Sequence, residues 1–443
     1  MSNLSPKARA KLHHWHLILA LVVICATVLV GAVGQDAKPA LPVATAIAPG
    51  PSRAAAQPST TAPTLAPPVS AAPARRHLVI QGAGDVILHT RVQDSARFHE
   101  STAASTQGFG YLVERLRPVL QKGDLNIVNL ETPLATQRNS QAADPPMLNG
   151  PQVAARALSG VGFHIATLAN NHAYDQTIAG VPETRATLAD AHVVGVGGGQ
   201  NFEAAHEIAY VDMQGVRVAV LSFAEMVNGG ADVQARLSRA APQVAVWRGA
   251  SDLAFVREAR AHADIVVVAF HWGEEFSATP SSFQRTTGRQ LCEAGASLVL
   301  GTHSHTLQPV TTHEHDGNPC VVAYSLGNLI SNQGLKYRFG YVNPDPGRAQ
   351  GIAETCDGAV LRVGFEEDAQ GKMRVTQIAA VPLWVENNWE ERYYDDAFQN
   401  DIFVAPLADL RADASRLRNL RTYEERWESI PRVLGSLVHI VPE

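Results

Sequence analysis

The sequence predicts an α/β sandwich whose strands are mostly buried on both faces. Three observations predict it. Beyond Arg76, short β-branched runs recur at His77–Ile80, Leu125–Val128, His164–Leu168, Arg217–Leu221, Ile265–Phe270, Leu298–Leu300 and Val321–Tyr324, the near-continuous apolar pattern of strands covered on two sides. Helical patterns, among them Gly110–Lys122 and Ser281–Ala296, lie between several of these runs, and that alternation belongs to α/β architecture. Of 443 residues, 46% are hydrophobic and 18% charged. That suffices for a large core and excludes a mainly disordered or collagen-like chain.

The elements follow in order. Residues 1–16 form a basic tail with Lys7, Arg9 and Lys11 and no acidic residue. Residues 17–34 are uncharged and apolar, about 27 Å of helix at 1.5 Å per residue, close to the thickness of a bilayer core. Basic residues ahead of the run place the tail in the cytoplasm and the remainder outside. A signal peptide cleaved near Ala32-Val33-Gly34 is the alternative. Residues 35–76 read as a linker. From Asp36 to Arg76 there are 9 Pro and 13 Ala among 41 residues and no aromatic, a composition that cannot bury enough surface to fold and extends as a stalk. Residues 77–398 form the folded domain. Within it, Gly358 to Val385 reads as two strands around a turn at Asp368–Lys372. Residues 399–443 form a helical extension, with apolar spacing of one or two surface helices from Asp401 to Arg432.

Polar residues cluster where the strands end. The first ends in Asp85, the second in Glu131, the third in Asn170-Asn171-His172. Later strands end in His271, in His303 and His305, and in Ser325 and Asn328. In open α/β sheets, ligands bind beyond the carboxyl ends of strands. Singly these residues have ordinary readings: Gly84-Asp85 as a turn or cap, Asn-Asn as turn chemistry, a lone His as a satisfied core residue. Glu131 is costly to bury unpaired. His303 and His305, at i and i+2 of an extended segment, share a face. His313 and His315 have the same spacing but sit in a polar turn and read as solvated loop.

Charge and cysteine usage exclude other classes. The net charge is −6 with no dense basic run, which argues against nucleic acid as a partner. Four Cys without a CxxC pair make neither a disulfide framework nor a zinc ribbon. Cys292 lies on an apolar helical face and reads as core. Cys320 and Cys356 can pair if the chain folds in an oxidising compartment and their Cα atoms come close. Asp, Glu, Asn and neutral His together make mixed N/O sites for two divalent ions, Mn, Zn or Fe. Such a pair activates water and clamps an in-line displacement.

The succession GAGDVIL, NLETPL, ANNHAYDQ, HWGEE, GTHSHTLQPV and YSLGNLIS, from Leu78 to Ser331, resembles the CapA family of poly-γ-glutamate capsule biosynthesis proteins. That family is similar to the calcineurin-like metallophosphatases, two β-sheets flanked by helices. The resemblance implies Asp85 as a ligand of a first metal and Glu131 as a bridging carboxylate. It implies Asn171 and His271 on a second metal, with His303 and His305 completing the pair. His172 would be the catalytic acid, oriented by Asp175. Asn170, Trp272, Ser325 and Asn328 are further candidates for substrate contact. Two departures from the wider metallophosphatase pattern stand out: Ile87 where that pattern has His, and Glu131 where it has Asp. The expectation is a metal-dependent hydrolase on the outer side of the cytoplasmic membrane. It would act on an anionic cell-envelope polymer such as poly-γ-glutamate, with membrane-embedded synthase or export subunits as partners. Arg285, Arg289, Lys336 and Arg338 are the residues available for a basic cleft. The alternative is a non-catalytic accessory subunit that binds metal or polymer.

Overall fold

The computed structural model describes residues 75–140, 147–315, 317–334, 337, 352–389 and 399–442. The basic tail, the apolar run, nearly all of the linker, Lys336 and Arg338 lie outside them. No helix of the described residues is long and apolar enough to cross a membrane.

Two sheets carry the fold. The first contains β1 (His77–Val86), β2 (Leu125–Leu130), β3 (Ile165–Thr167) and β4 (Val194–Val196), all parallel. On the other side of β1 lie β14 (Asp357–Glu367), β15 (Met373–Asn387) and β16 (Ile402–Pro406), antiparallel in succession. β13 (Asn328–Ile330) joins the end of β1, and β17 (His439–Ile440) joins β15. The second sheet runs β11 (Val310–His315), β12 (Asn318–Ala323), β10 (Leu298–Thr302), β9 (Ile265–His271), β7 (Val216–Ala224), β6 (Ala209–Met213). A small pair, β5 (Gly198–Gly199) and β8 (Gln243–Val244), lies apart.

Side-chain alternation explains why the sheets stack. Leu78, Ile80, Leu125 and Ile127 of the first sheet share one buried cluster with Val218, Val220, Ile265, Val267, Leu298 and Leu300 of the second. The intervening residues face outward to helices, as the period of two requires. On the first sheet Val128 and Ala166 pack with α1 (Thr90–Phe98), α2 (Ala154–Val161) and α3 (Gly180–Asp190) through Val92, Leu158 and Leu188. On the second, Val266, Val268 and Phe270 pack with α4 (Leu253–His262) and α5 (Ser282–Glu293) through Val256, Ala259 and Leu291. The predicted α/β sandwich is therefore helix, sheet, sheet, helix. α5 starts where a capping box fixes it: Ser281 Oγ accepts from Gln284 N, and Gln284 Oε1 accepts from Ser281 N.

Three expectations need correction. The C-terminal segment is not a separate helical extension. The described residues from 75 onward belong to one compact unit, β16 occupies the edge of the first sheet, and α6 (Leu420–Leu434) buries Tyr423, Ile430 and Leu434 in the inter-sheet cluster. The apolar run Ile402–Ala405 is a short buried strand, too brief for periodicity to distinguish from helix. His313 and His315 lie in β11, paired with β12, because the polar residues around them close a β-hairpin. Finally, the disulfide joins Cys292 to Cys320, with Cα atoms 5.6 Å apart, and Cys356 is the buried free thiol. α5 packs directly over β12, so the cysteine read as core is the one whose face meets Cys320.

Under denaturing, non-reducing conditions Cys356 should react with a thiol reagent, while Cys292 and Cys320 should react only after reduction. Labelling of Cys292 or Cys320 before reduction would contradict the pairing. Cys292→Ser should destabilise the oxidised chain by roughly 3–4 kcal/mol, the loop-entropy value for a bridge of this span, read from denaturant unfolding.

Candidate metal centre

Strand register assembles the site. Asp85 pairs with Asn129 across β1 and β2, and Asn129 with Thr167 across β2 and β3. Thr302 pairs with His271 across β10 and β9. Both rows stand at carboxyl ends, on sheets that face each other. Asn129 links them: its Nδ2 donates to Asp85 Oδ1 at 2.7 Å and lies 3.2 Å from His271 Nδ1, while its Oδ1 accepts from Thr167 Oγ1 at 2.9 Å. Gly84 lets β1 approach the chain before β13. A Cβ there would sit 2.0 Å from Gly327 O, and the close approach carries the bond from Asp85 N to Gly327 O.

Four potential ligand atoms surround one point. His271 Nε2 lies 3.0 Å from Asn171 Oδ1, 3.0 Å from His303 Nδ1 and 3.5 Å from Glu131 Oε1. Ligands about 2.0–2.2 Å from a tetrahedral ion stand roughly 3.4 Å apart, so the spacing suits an ion. A second set adjoins it: Asp85, Glu131 and His305 offer ligand atoms within 4.8 Å of one another, with His305 Nδ1 3.2 Å from Asp85 Oδ2. Glu131 belongs to both sets. Its two carboxylate oxygens are buried and make no hydrogen bond among the described residues. Buried polar atoms are rarely left so, and a cation is what such oxygens accept. The residues present fit a metal.

The electrostatics agree. Burial pushes the Glu131 carboxyl well above its ordinary value, with the Asp85 and Glu275 charges adding to it. Burial holds His271 well below the usual imidazole value, and the neighbouring His303 adds to this. His303 falls to about 3 for the same first cause, with His305 next. Neutral imidazoles keep the lone pairs that ligation needs. Thr302 Oγ1, 2.9 Å from His271 Nδ1, contacts the ring nitrogen other than the Nε2 that meets Asn171 and His303, the usual orienting contact behind a ligating His.

His172 stands beside these ligands, half-buried. Its Nδ1 donates to Asp175 Oδ2 at 2.6 Å, and Leu148 N donates to the same oxygen at 2.6 Å. The carboxylate can only accept, so Nδ1 carries a proton and Nε2 is left for chemistry. Asn228 N donates to Asn171 O, tying the Asn171–His172 turn to the loop after β7.

The structure thus brings together Asp85, Glu131, Asn171, His271, His303 and His305, with His172 and Asp175 adjoining. Other candidates fall elsewhere. Trp272 is fully buried in the outer core, stacked on Phe270 at 4.4 Å with Nε1 donating to Tyr324 O. Ser325 Oγ accepts from Gly327 N in a buried turn, and Asn328 Nδ2 donates to Thr355 O and Gln333 Oε1. Trp272 and Ser325 support the fold and offer no contact surface, whereas Asn328 adjoins the site: it pairs with Asp85 between β13 and β1, and its Nδ2 also lies 3.5 Å from His305 O. Asn170 is also buried, its Nδ2 donating to Leu130 O. Arg285 and Arg289 are exposed on α5. The two histidines of the Gly-x-His-x-His block do not share a strand face. His303 has φ +95° and His305 φ +56°, so a left-handed turn past the end of β10 aims both inward.

Sequence reasoning missed Asn129, which a hydrophobic run conceals, and Glu275, which its neighbour Glu274 makes look like solvated surface. It also missed His89, whose Nδ1 accepts from Asn332 N at 3.2 Å. Burial, with the His172 and His305 charges, lowers it to about 3.

Residues 79–333 match the family described as bacterial capsule synthesis protein PGA_cap. The PGA biosynthesis protein CapA of Bacillus subtilis is 28% identical over 61% of this chain and 66% of its own length. The capsule biosynthesis protein CapA of Bacillus anthracis is 30% identical over 53% and 57%. A probable polyglutamine synthesis accessory protein of Mycobacterium tuberculosis is 26% identical over 47% and 56%. The matched stretch therefore spans less than two thirds of each relative. Among solved structures, a hypothetical protein from Thermus thermophilus is similar at TM-score 0.39 and 16% identity, covering 69% of this chain and 98% of that one. The NAD nucleotidase of Haemophilus influenzae is similar at 0.39 and 9%, covering 83% and 65%.

The raised Glu131 carboxyl sets a pH dependence. In the metal-free fold it holds its proton above the ordinary carboxylate value of about 4.3, and an ion must displace that proton. Affinity for Mn²⁺ or Zn²⁺ should therefore climb with pH above about 4.3 for as long as Glu131 is protonated. His303, neutral above about 3, adds nothing in that range. Calorimetric titrations at about pH 5 and about pH 6, above that ordinary value, test this, and a flat affinity would contradict it.

Proposed function

Because the chain belongs to the bacterial capsule synthesis protein family, we propose that it is a metal-dependent hydrolase in the making or processing of poly-γ-glutamate, an anionic cell-envelope polymer. The observation that carries the reading is Glu131, buried, without a hydrogen bond to either oxygen among the described residues and shared between two sets of ligand atoms. The names of the Bacillus relatives support the polymer. In this reading Glu131, Asn171, His271 and His303 hold one divalent ion, and Asp85, Glu131 and His305 hold the other. Bound there, the ions lower the pKa of water and stabilise the oxygens of an in-line displacement. The chain's own residues do the rest. Asp175 keeps the His172 ring turned so that Nε2 faces the reacting centre, and a protonated His172 gives its proton at Nε2 to the leaving group. Thr302 and Asn129 orient His271 and Asp85.

The place of action follows from other features. The apolar run at 17–34 anchors the chain in the cytoplasmic membrane, and the Pro/Ala linker carries the folded domain on its outer side. The Cys292–Cys320 disulfide suits an oxidising compartment. Membrane-embedded synthase or export subunits are the partners. The accessory-subunit reading retains one observation in its favour: Ile87, 2% exposed, is a core residue that cannot ligate an ion where the metallophosphatase pattern has His.

Metal-loaded full chain should cleave poly-γ-glutamate or a phosphodiester reporter. His172→Ala should lower kcat by about 10²–10⁴ with metal content unchanged. A loaded chain that cleaves neither substrate would leave the accessory reading in place.

A further inference from the structure

We propose that Glu275 is a third carboxylate ligand of the metal centre, supplying beside His303 and His305 the donor that Ile87 cannot. The inference rests on the metal reading above. A Glu275 oxygen and one nitrogen each of His303 and His305 lie within 4.8 Å of one another. The side chain is exposed, which on a surface loop would make such proximity incidental. Here the backbone is fastened on the far side of the residue. Phe276 N donates to Ser304 O at 2.7 Å, in the middle of the His303–His305 turn. Thr306 Oγ1 and Gln308 Nε2 both donate to Ser277 O, at 2.9 and 2.8 Å. Just before it, Gly273 N donates to Glu225 Oε2 at 2.8 Å. Phe276 has φ +63°, a conformation an aromatic residue adopts only when its surroundings impose it.

The segment is therefore held on both sides of Glu275, by Glu225 before it and by the histidine turn and the residues that follow that turn after it, and Glu275 is carried with it. Glu274 makes an internal comparison. It too is exposed and carries the same charge, but it belongs to no ligand set among the described residues. With Asp85 and Glu131, a third carboxylate nearly balances two divalent cations. Being at the open side, it is also the ligand that a polyanionic substrate would meet first.

The test is Mn²⁺ binding by the full chain, followed by calorimetry and elemental analysis, in wild type, Glu275→Gln and Glu274→Gln. Metal-free thermal unfolding of all three should coincide. Glu275→Gln should lose one equivalent or bind it at least about tenfold more weakly, and Glu274→Gln should bind as wild type does. Wild-type binding by Glu275→Gln, or equal weakening in both variants, would overturn the assignment. A wild-type chain that takes up no ion would instead overturn the metal reading beneath it.

Discussion

Two carboxylates without solvent exposure stand side by side at the centre of this molecule. An ionised carboxylate buried without compensation costs several kcal/mol. Asp85 meets part of that cost through Asn129, the His303 backbone N–H and His305. Glu131 has no hydrogen bond to either oxygen among the described residues. A fold that keeps such a residue among neutral imidazoles has left room for a positive charge that the polypeptide does not itself contribute. Much of the architecture can be understood as the means of holding that arrangement.

The two sheets divide the task. The first presents Asp85, Glu131 and the Asn171–His172 turn from neighbouring parallel strands, and the second presents His271 and the His303–His305 turn. Because the donors come from opposite sheets, their spacing depends on inter-sheet packing by residues such as Ile80, Ile127, Val267 and Leu300. The left-handed backbone at His303 and His305 costs of order 1–3 kcal/mol per residue. Local bonds hold it: His303 N to Asp85 Oδ2 at 3.2 Å, Ser304 Oγ to Thr306 O at 2.9 Å, and Phe276 N to Ser304 O at 2.7 Å. Strain of this kind persists where it serves a site.

How much of this was legible in the sequence depends on what each residue's signal required. Strands such as Ile265–His271 were legible because burial on both faces leaves an unbroken apolar run. The ligands were legible because they follow those runs directly. Asn129 was not, since it lies inside a run and acts across the sheet through register. Trp272 looked like a site residue by adjacency, and only packing shows that it faces the core. Ile402–Pro406 was too short to declare itself a strand. Cys292 and Cys320 are 28 residues apart in sequence, and their meeting depends on how α5 lies over β12, which no local pattern encodes.

The central claim is that Glu131 joins two ions held by opposite sheets. Anomalous diffraction at the metal absorption edge, from crystals grown with Mn²⁺ or Zn²⁺, tests it most directly. The account predicts two peaks about 3.5–4 Å apart, one beside Asn171, His271 and His303, the other beside Asp85 and His305, with the Glu131 carboxylate between them. A single peak, or two that Glu131 does not touch, would contradict it.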